Sequence, residues 1–316
     1  MLNTIFSTSP ISPEKKATIV SSTVAAILTL IKLVIGIMSG SVAILASAID
    51  STLDLFVSIF NYFAITNSEK PADQYFNYGR GKIEALASVI EGTIITISGF
   101  FLLYQAINKY INGGVSQYGN LSIIVMVISL IITLSLVAYL NTIAKETNNM
   151  VIKADALHYK TDVYSNIAVL ISLIGVYFTN NELIDIIVGG GISVYIVYSA
   201  YELIKDGVLV LLDRALDDEI IANINHILAS ESEMNNFHFL KTRTAGNVNF
   251  ADVHLVFDCI ITLLDAHRIS DKIEDKIMAL DKSKEWVINI HLDPYDDSDI
   301  NTGVHCPTPL HLHSNN

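Results

Sequence analysis

Six long apolar stretches dominate the first two thirds of this 316-residue chain. Each is near the roughly 20 residues that an α-helix needs to cross a bilayer. They are residues 17–39, 41–66, 83–108, 119–141, 159–179 and 183–204. Hydrophobic residues make up 51% of the chain and charged residues only 16%, which is not typical of a soluble domain. The sequence therefore predicts an all-α bundle of six transmembrane helices in contact with membrane lipid.

Basic residues are distributed unevenly among the connections between these helices. Lys15 and Lys16 precede the first stretch, Arg80 and Lys82 lie in the second loop and Lys145 in the fourth, whereas the first and fifth loops have none. By the positive-inside rule, both termini are expected in the cytoplasm. The compact architecture favours a bacterial inner membrane.

The composition of the chain changes near residue 206. From residue 207 onward, 18 acidic residues outnumber 8 basic ones, and this acidic excess argues against nucleic acid as a partner. We expect a six-helix transmembrane domain over residues 1–206 and a cytoplasmic domain over residues 207–298. Residues 299–316 contain two prolines and no periodicity, so a disordered tail is expected there.

The pattern of the cytoplasmic domain predicts the element order αββαβ. The expected elements are a helix at 217–230, strands at 236–243 and 249–258, a helix at 264–280 and a strand at 286–292. A turn at Gly246 and Asn247 joins the first two strands. Alternation along the strands places His254, His291 and Asp293 on the outer face. These side chains should therefore be available to ligands.

Four ionisable residues lie within the predicted membrane helices, in two pairs spaced i, i+4. Asp50 and Asp54 belong to the second helix, and His158 and Asp162 to the fifth. This spacing puts each pair on one helix face, and carboxylates inside a membrane typically mark an ion or proton path. Three carboxylates and one imidazole suit zinc, and they also admit cadmium, iron(II), cobalt and manganese.

The same residues predict that protons are exchanged for the metal. Three ionised carboxylates in a low dielectric would be destabilised, so an empty site should take up protons. Binding of Zn²⁺ must then expel them. We therefore expect Zn²⁺ as substrate and protons as counter-ion.

Four other polar or acidic residues lie within the predicted helices or near their ends. Glu91 lies two turns inside the third helix, where a proton relay and a hydrogen-bonded packing role both remain open. Asn61 and Asn166 are expected to form hydrogen bonds between helices. Asp155 is expected to be a solvated or capping residue rather than a further ligand.

The stretches around these ligands resemble the cation diffusion facilitator family. They are SAIDSTLD ending at Asp54, ADALHYKTD ending at Asp162, PAD from Pro71 and GRGKIEA ending at Ala85, and the likeness runs from about residue 12 to 295. The resemblance implies a homodimeric, proton-coupled exporter of divalent metals with six transmembrane helices. It also implies a cytoplasmic, ferredoxin-like αββαβ domain and a transport site formed by the two i, i+4 pairs.

The resemblance also implies metal sites in the cytoplasmic domain. Four residues would bind one ion, and His267 would bind an adjacent ion. Metal at these sites would have a regulatory role, because it would draw the two cytoplasmic domains of a dimer together. The four residues are His238, His254, His291 and Asp293. Lys82 and Asp213 resemble a charged pair that ties the membrane helices to this domain across the dimer.

The second loop departs from the family pattern. Related zinc exporters place an Asp and two His there, but this chain has Asp73 with Phe76 and Arg80. We therefore predict no metal site in this loop and a pairing of Asp73 with Arg80 or Lys82.

Two function classes other than transport also place ionisable residues inside a membrane protein. A membrane aspartyl protease needs a GxGD-type motif, and the run Gly189–Gly191 has no following Asp. No HExxH or nucleophile motif is present either, so an enzyme is not expected. The remaining alternative is a membrane metal sensor or scaffold that binds ions without moving them.

Overall fold

The computed structural model describes residues 11–39, 42–112, 120–179 and 183–296. The chain forms two compact units, the first ending at Leu211 and the second beginning at Leu212. The predicted disordered tail at 299–316 lies outside the described residues.

The first unit consists of long helices. They are α1 (Pro13–Ser39), α2 (Val42–Ser68), α3 (Lys82–Asn112), α4 (Asn120–Thr147), α5 (Met150–Thr179) and α6 (Leu183–Leu211). Within the described residues, five of these helices, all except α5, have the length and hydropathy of a membrane span. The first half of α5 carries several charged residues, so the sixth span stays a prediction.

The fifth helix begins earlier than its apolar stretch indicates. It starts at Met150, nine residues before the apolar stretch that begins at residue 159. The side chain of Asn149 accepts hydrogen bonds from the backbone N–H groups of Val151, at 2.9 Å, and Ile152, at 3.2 Å. Such a cap stabilises a helix start by about 1 kcal/mol. The site residues His158 and Asp162 therefore lie well inside the helix.

The outer surfaces of these helices are apolar. Large side chains such as Leu30, Phe56 and Phe100 are exposed, and exposed apolar surface of this kind fits contact with lipid. Between α3 and α6 the backbones approach closely, because a Cβ atom on Gly99 would lie 2.8 Å from Val197 Cγ2. Small residues permit such close packing of membrane helices.

The second unit has the predicted αββαβ order. Its elements are α7 (Asp218–Ala229), β1 (Asn236–Ala245), β2 (Val248–Val256), α8 (Leu263–Met278) and β3 (Glu285–Asp293). The central strand β2 pairs antiparallel with β1 and parallel with β3. Gly246 has a φ of 61°, a conformation that favours glycine, and it lies in the predicted turn.

One face of this sheet is covered by the two helices. Leu228 of α7 and Ile273 of α8 belong to one buried cluster with Val253 and Leu255 of β2. Because side chains alternate along a strand, His254 belongs to the opposite face. The core of the second unit thus leaves one sheet face for polar side chains.

Candidate functional site

Three of the four predicted membrane ligands lie together in the structure. His158 Nε2 is 3.1 Å from Asp54 Oδ1, and one ligand atom each from Asp54, His158 and Asp162 lie within 4.8 Å of one another. Residues from α2 and α5 thus form one cluster of two carboxylates and an imidazole. A cluster with three protein ligands leaves a coordination position open, as exchange of a bound cation requires.

Asp50 is not in this cluster. It lies one helical turn before Asp54 on α2, and its side chain is exposed. The described structure therefore brings three of the predicted ligands together. The fourth, Asp50, lies one helical turn from Asp54 on α2.

A polar stripe runs along α2 through this cluster. We use this name for Ser47, Ser51, Asp54, Ser58, Asn61 and Ser68. Their intervals of three, four and seven residues place them on one helix face. Ser58 Oγ lies 2.8 Å from the Tyr159 hydroxyl, and Ser68 donates to Glu84 at 3.0 Å. The stripe therefore links the cluster to polar side chains of α3 and α5.

Asn61 joins two buried carboxylates. Its amide nitrogen donates to Glu91 Oε2 at 3.0 Å and to Asp155 Oδ1 at 3.2 Å. Glu91 is 1% exposed and Asp155 is 0% exposed. The predicted hydrogen bonding of Asn61 between helices is confirmed.

The prediction that Asp155 is solvated or a helix cap was wrong. The cause is the early start of α5 at Met150, which puts Asp155 inside the helix. The prediction for Asn166 was also wrong in its partner, because Asn166 donates to the backbone oxygen of Asp162 in its own helix, at 2.8 Å.

Lys32 in the first helix was not among the predicted site residues. Its Nζ donates to Ser51 Oγ at 2.7 Å and lies 3.5 Å from the backbone oxygen of Ser47. Both partners belong to the polar stripe. The available signal was a lone lysine in the interior of an apolar stretch, which is as unusual in a membrane helix as a lone carboxylate.

Three histidines lie side by side on the second unit's sheet. His238 of β1 is in register with His254 of β2, which is in register with His291 of β3. The Asp293 carboxylate lies beneath them, 2.9 Å from His254 Nδ1, 3.3 Å from His238 Nε2 and 3.0 Å from His291 Nε2. We call these four residues the sheet cluster.

A β-bulge accompanies the position of His238. The register of β1 shifts between His238 and Lys241, and Phe239 has a φ of 54°, which costs a side chain of this kind roughly 1–3 kcal/mol. Bulges commonly re-aim a side chain next to a site. Ligand atoms of His238, His254 and Asp293 lie within 4.8 Å of one another. This geometry can hold a zinc-like ion.

Asp293 is less accessible than the alternation of β3 predicted. It was expected on the outer face, but it is only 5% exposed because the imidazoles of the sheet cluster lie against its carboxylate. His254 and His291 do retain exposed surface, as predicted. Among the described residues, His267 is not part of the cluster; it is exposed on α8, 3.7 Å from Asp271.

The carboxylate in the second loop is engaged by neighbours in the same loop. Arg80 Nη2 lies 2.5 Å from Asp73 Oδ2, and this predicted pairing is confirmed. The backbone N–H groups of Tyr75 and Phe76 donate to Asp73 Oδ1 at 2.8 and 2.9 Å. These hydrogen bonds, together with the Arg80 guanidinium, lower the pKa of Asp73.

Lys82 and Asp213 each have partners within their own unit. Lys82 Nζ donates to the backbone oxygen of Leu211 at 3.2 Å. Asp213 Oδ1 lies 3.5 Å from Arg243 Nη1. Their expected pairing with each other stays a prediction.

Comparison with known proteins covers both units. Residues 18–212 match the cation efflux transmembrane domain, and residues 216–295 match the cytoplasmic domain of cation efflux proteins. The cation-efflux pump FieF of Escherichia coli O127:H6 is 33% identical over 279 residues, which are 88% of this chain and 92% of FieF. FieF of Klebsiella pneumoniae subsp. pneumoniae shows the same identity and coverage.

The cytoplasmic part of the chain is also similar to solved structures. A cytosolic domain of a cation diffusion facilitator family protein is 22% identical, covers 24% of this chain and 89% of its own, and has a TM-score of 0.23. The sequence matches, in contrast, run through the apolar helices, the paired carboxylates of α2 and the histidine strands of the second unit. The chain is therefore an integral membrane protein of the cation efflux, or cation diffusion facilitator, family.

Proposed function

We propose that this protein exports divalent metal cations, above all Zn²⁺, from the cytoplasm in exchange for protons. The observation that carries the proposal is the cluster of Asp54, His158 and Asp162 between two helices of the membrane unit. The name of the FieF relatives, cation-efflux pump, supports the direction of transport. We place the protein in a bacterial inner membrane with both termini in the cytoplasm, as its basic residues indicate.

The choice of zinc follows from the ligand chemistry. An imidazole beside carboxylates suits Zn²⁺ better than the hard cations Mg²⁺ and Ca²⁺, which prefer oxygen ligands alone. Cd²⁺ and Fe²⁺ are the next candidates. We propose Asp50 as the fourth ligand, which a change of its side-chain rotamer toward Asp54 would bring to the ion.

The decisive experiment measures zinc and proton movement together. Purified protein is sealed into proteoliposomes, zinc is added, and internal pH and internal zinc are followed with separate dyes. We expect zinc uptake coupled to proton movement in the opposite direction, with Cd²⁺ and Fe²⁺ competing. Zinc binding without flux would instead support the alternative, a sensor or scaffold. Flux of Fe²⁺ without Zn²⁺ flux would change the proposed substrate.

Glu91 is our candidate for the proton relay. It shares the Asn61 amide with Asp155, and Asn61 lies two turns from Asp54 on the polar stripe. We expect Glu91→Gln to slow proton-coupled zinc flux severalfold while zinc affinity stays near the wild-type value, because the amide keeps the packing but carries no exchangeable acid. A wild-type flux rate in this variant would contradict the relay.

The sheet cluster is proposed as a regulatory metal site. Imidazoles from three strands and one carboxylate offer Zn²⁺ ligands, and occupancy would favour association of two cytoplasmic domains. Replacing both His254 and His291 by Ala should raise the zinc concentration needed for half-maximal flux about fivefold or more, given the 10–100-fold effects typical of lost ligand-shell contacts. Flux itself should be reduced but retained.

The matched control for this variant is His226→Ala, which removes an exposed imidazole from α7. An unchanged zinc dependence in the double variant, or an equal shift in the control, would contradict the regulatory role. A zinc ion at His267 stays a separate proposal, to be tested by the number of zinc ions bound before and after His267→Ala.

We further propose that the protein acts as a homodimer, as the family resemblance implies. Lys82 and Asp213 are the proposed charged pair between the membrane helices and the cytoplasmic domain across the dimer. A monomeric mass for the protein in mild detergent would contradict the dimer. Loss of function in Lys82→Asp that Asp213→Lys fails to restore would contradict the pair.

A further inference from the structure

Lys32 is a cation inside the membrane unit that none of the functions proposed above uses. It lies in the interior of α1, and its Nζ donates to Ser51 Oγ at 2.7 Å. Lysine inside a membrane helix is costly. A single neutral serine hydroxyl and one backbone oxygen at 3.5 Å are weak compensation for an ammonium group. The surroundings of Lys32 must therefore include a stronger reason for its charge.

The position of Lys32 relative to α2 supplies that reason. Its partners Ser47 and Ser51 precede Asp54 by seven and three residues, so all three share one face of α2. Ser51, which accepts the hydrogen bond from Lys32, directly follows Asp50 and precedes Asp54 by less than one helical turn. Lys32 therefore lies against the face of α2 that carries Asp54 of the candidate transport site.

The packing of α1 against α2 keeps Lys32 at this position. One turn further along α1, a Cβ atom on Gly36 would lie 2.8 Å from Leu45 Cδ2 and 3.2 Å from the Leu45 backbone nitrogen. The two helices approach this closely only because Gly36 has no side chain. The close contact between α1 and α2 at Gly36 thus keeps Lys32 next to the polar stripe.

The net charge of the site explains why a lysine is placed here. Three ionised carboxylates and a neutral imidazole carry a charge of −3, and the ammonium group brings the total to −2. A divalent cation then makes the occupied site neutral, and a site that must release its ion benefits from binding that is not too tight. Without the lysine, an occupied site would keep an uncompensated negative charge in a low dielectric.

We propose that Lys32 is a built-in counter-charge of the transport site, which weakens metal binding enough for release and matches the site to divalent cations. The inference rests on the proposed function, because it assumes that the Asp54 cluster binds the transported ion. Lys32 does not ligate the metal. Its ammonium group acts on the site electrostatically, across the gap that separates it from the carboxylates.

Zinc affinity of the purified full-length protein tests this role. A chelating dye competes for zinc with the wild type, Lys32→Met, Lys32→Gln and Lys32→Arg, each with and without Asp54→Ala. We expect Lys32→Met and Lys32→Gln to bind zinc about tenfold or more tightly at the Asp54-dependent site, because a repulsive charge in a low dielectric is removed. Lys32→Arg should stay within about threefold of the wild type, because the repulsive charge is kept.

The set of variants separates charge from structure. Gln retains a donor for Ser51 but no charge, so a merely structural role predicts an effect in Met alone, and this result would overturn the inference. Unchanged or weaker zinc binding in both neutral variants would overturn it too, as would a gain in affinity that persists with Asp54→Ala. Zinc flux of the wild type is measured in parallel. Flux without the affinity gain refutes only the counter-charge, whereas the affinity gain without flux refutes only the transport function.

Discussion

Replacing Asp54 by Ala should reduce zinc-driven proton movement in proteoliposomes to the level of protein-free vesicles. Asp54 contributes a carboxylate oxygen that lies 3.1 Å from His158 Nε2, so its loss leaves one carboxylate and one imidazole in the cluster, with Asp50 as the remaining proposed ligand from α2. Without Asp54, the ion loses the α2 ligand that lies next to the imidazole, and the remaining groups no longer hold it in the tetrahedral geometry that transport requires. His158→Ala should have the same result, because it removes the nitrogen ligand. Zinc and proton fluxes are both recorded, and the amount of inserted protein is measured in each preparation.

The matched control for this prediction is Asp73→Ala. It also removes one carboxylate, but in the second loop, where Arg80 and two backbone N–H groups engage the carboxylate. Flux in this variant should stay close to the wild-type rate. Retained zinc flux in both Asp54→Ala and His158→Ala would refute the transport site that we propose.

The two i, i+4 pairs show how much of the site was predictable from the sequence. Helical spacing alone put Asp54 on one face and His158 with Asp162 on another, and the structure brings these three together. Asp50 shares the spacing but stays exposed. Spacing fixes the face of a helix, but the rotamer and the neighbouring helix decide which carboxylate reaches the cluster.

The errors at α5 and Lys32 have one physical cause. The apolar stretches were delimited by hydropathy, so the polar first turns of α5 lay outside its apolar stretch, and Asp155 was expected to be a solvated or capping residue near the end of the helix. The asparagine cap at Asn149 was the local signal for the true start. Lys32 was missed in the same way, because one lysine does not lower the mean hydropathy of a long apolar stretch enough to be noticed.

The cytoplasmic domain was more predictable from the sequence because apolar and polar residues alternate along its strands. The αββαβ order and the outward position of His254 and His291 followed from period-two patterns. The bulge near His238 did not, since a single extra residue in a strand leaves no hydropathy signal. The burial of Asp293 depends on side chains from three strands, which alternation within one strand cannot reveal.

The second large effect is expected at Asn61. Its amide donates to Glu91 Oε2 and to Asp155 Oδ1, and both carboxyl groups are almost fully buried. The second oxygen of each group, Glu91 Oε1 and Asp155 Oδ2, has no hydrogen-bond partner among the described residues. Asn61→Leu keeps the volume but leaves both buried carboxyl groups without this donor. Loss of hydrogen bonds to buried acidic groups should lower the free energy of unfolding by about 2–4 kcal/mol. Unfolding by dodecyl sulfate in mixed micelles measures this change.

Asn67→Leu on the same helix is the control for Asn61→Leu. Asn67 donates to the Phe63 backbone oxygen in its own helix, at 2.8 Å, and accepts from Lys70 at the exposed end of α2. Its replacement should change the free energy of unfolding by no more than about 0.5 kcal/mol. Equal stability of the two variants would mean that Glu91 and Asp155 do not depend on Asn61. The Asn61 link between the transport cluster and the buried carboxyl pair would then have no energetic basis, and the proton relay through Glu91 would lose its main structural support.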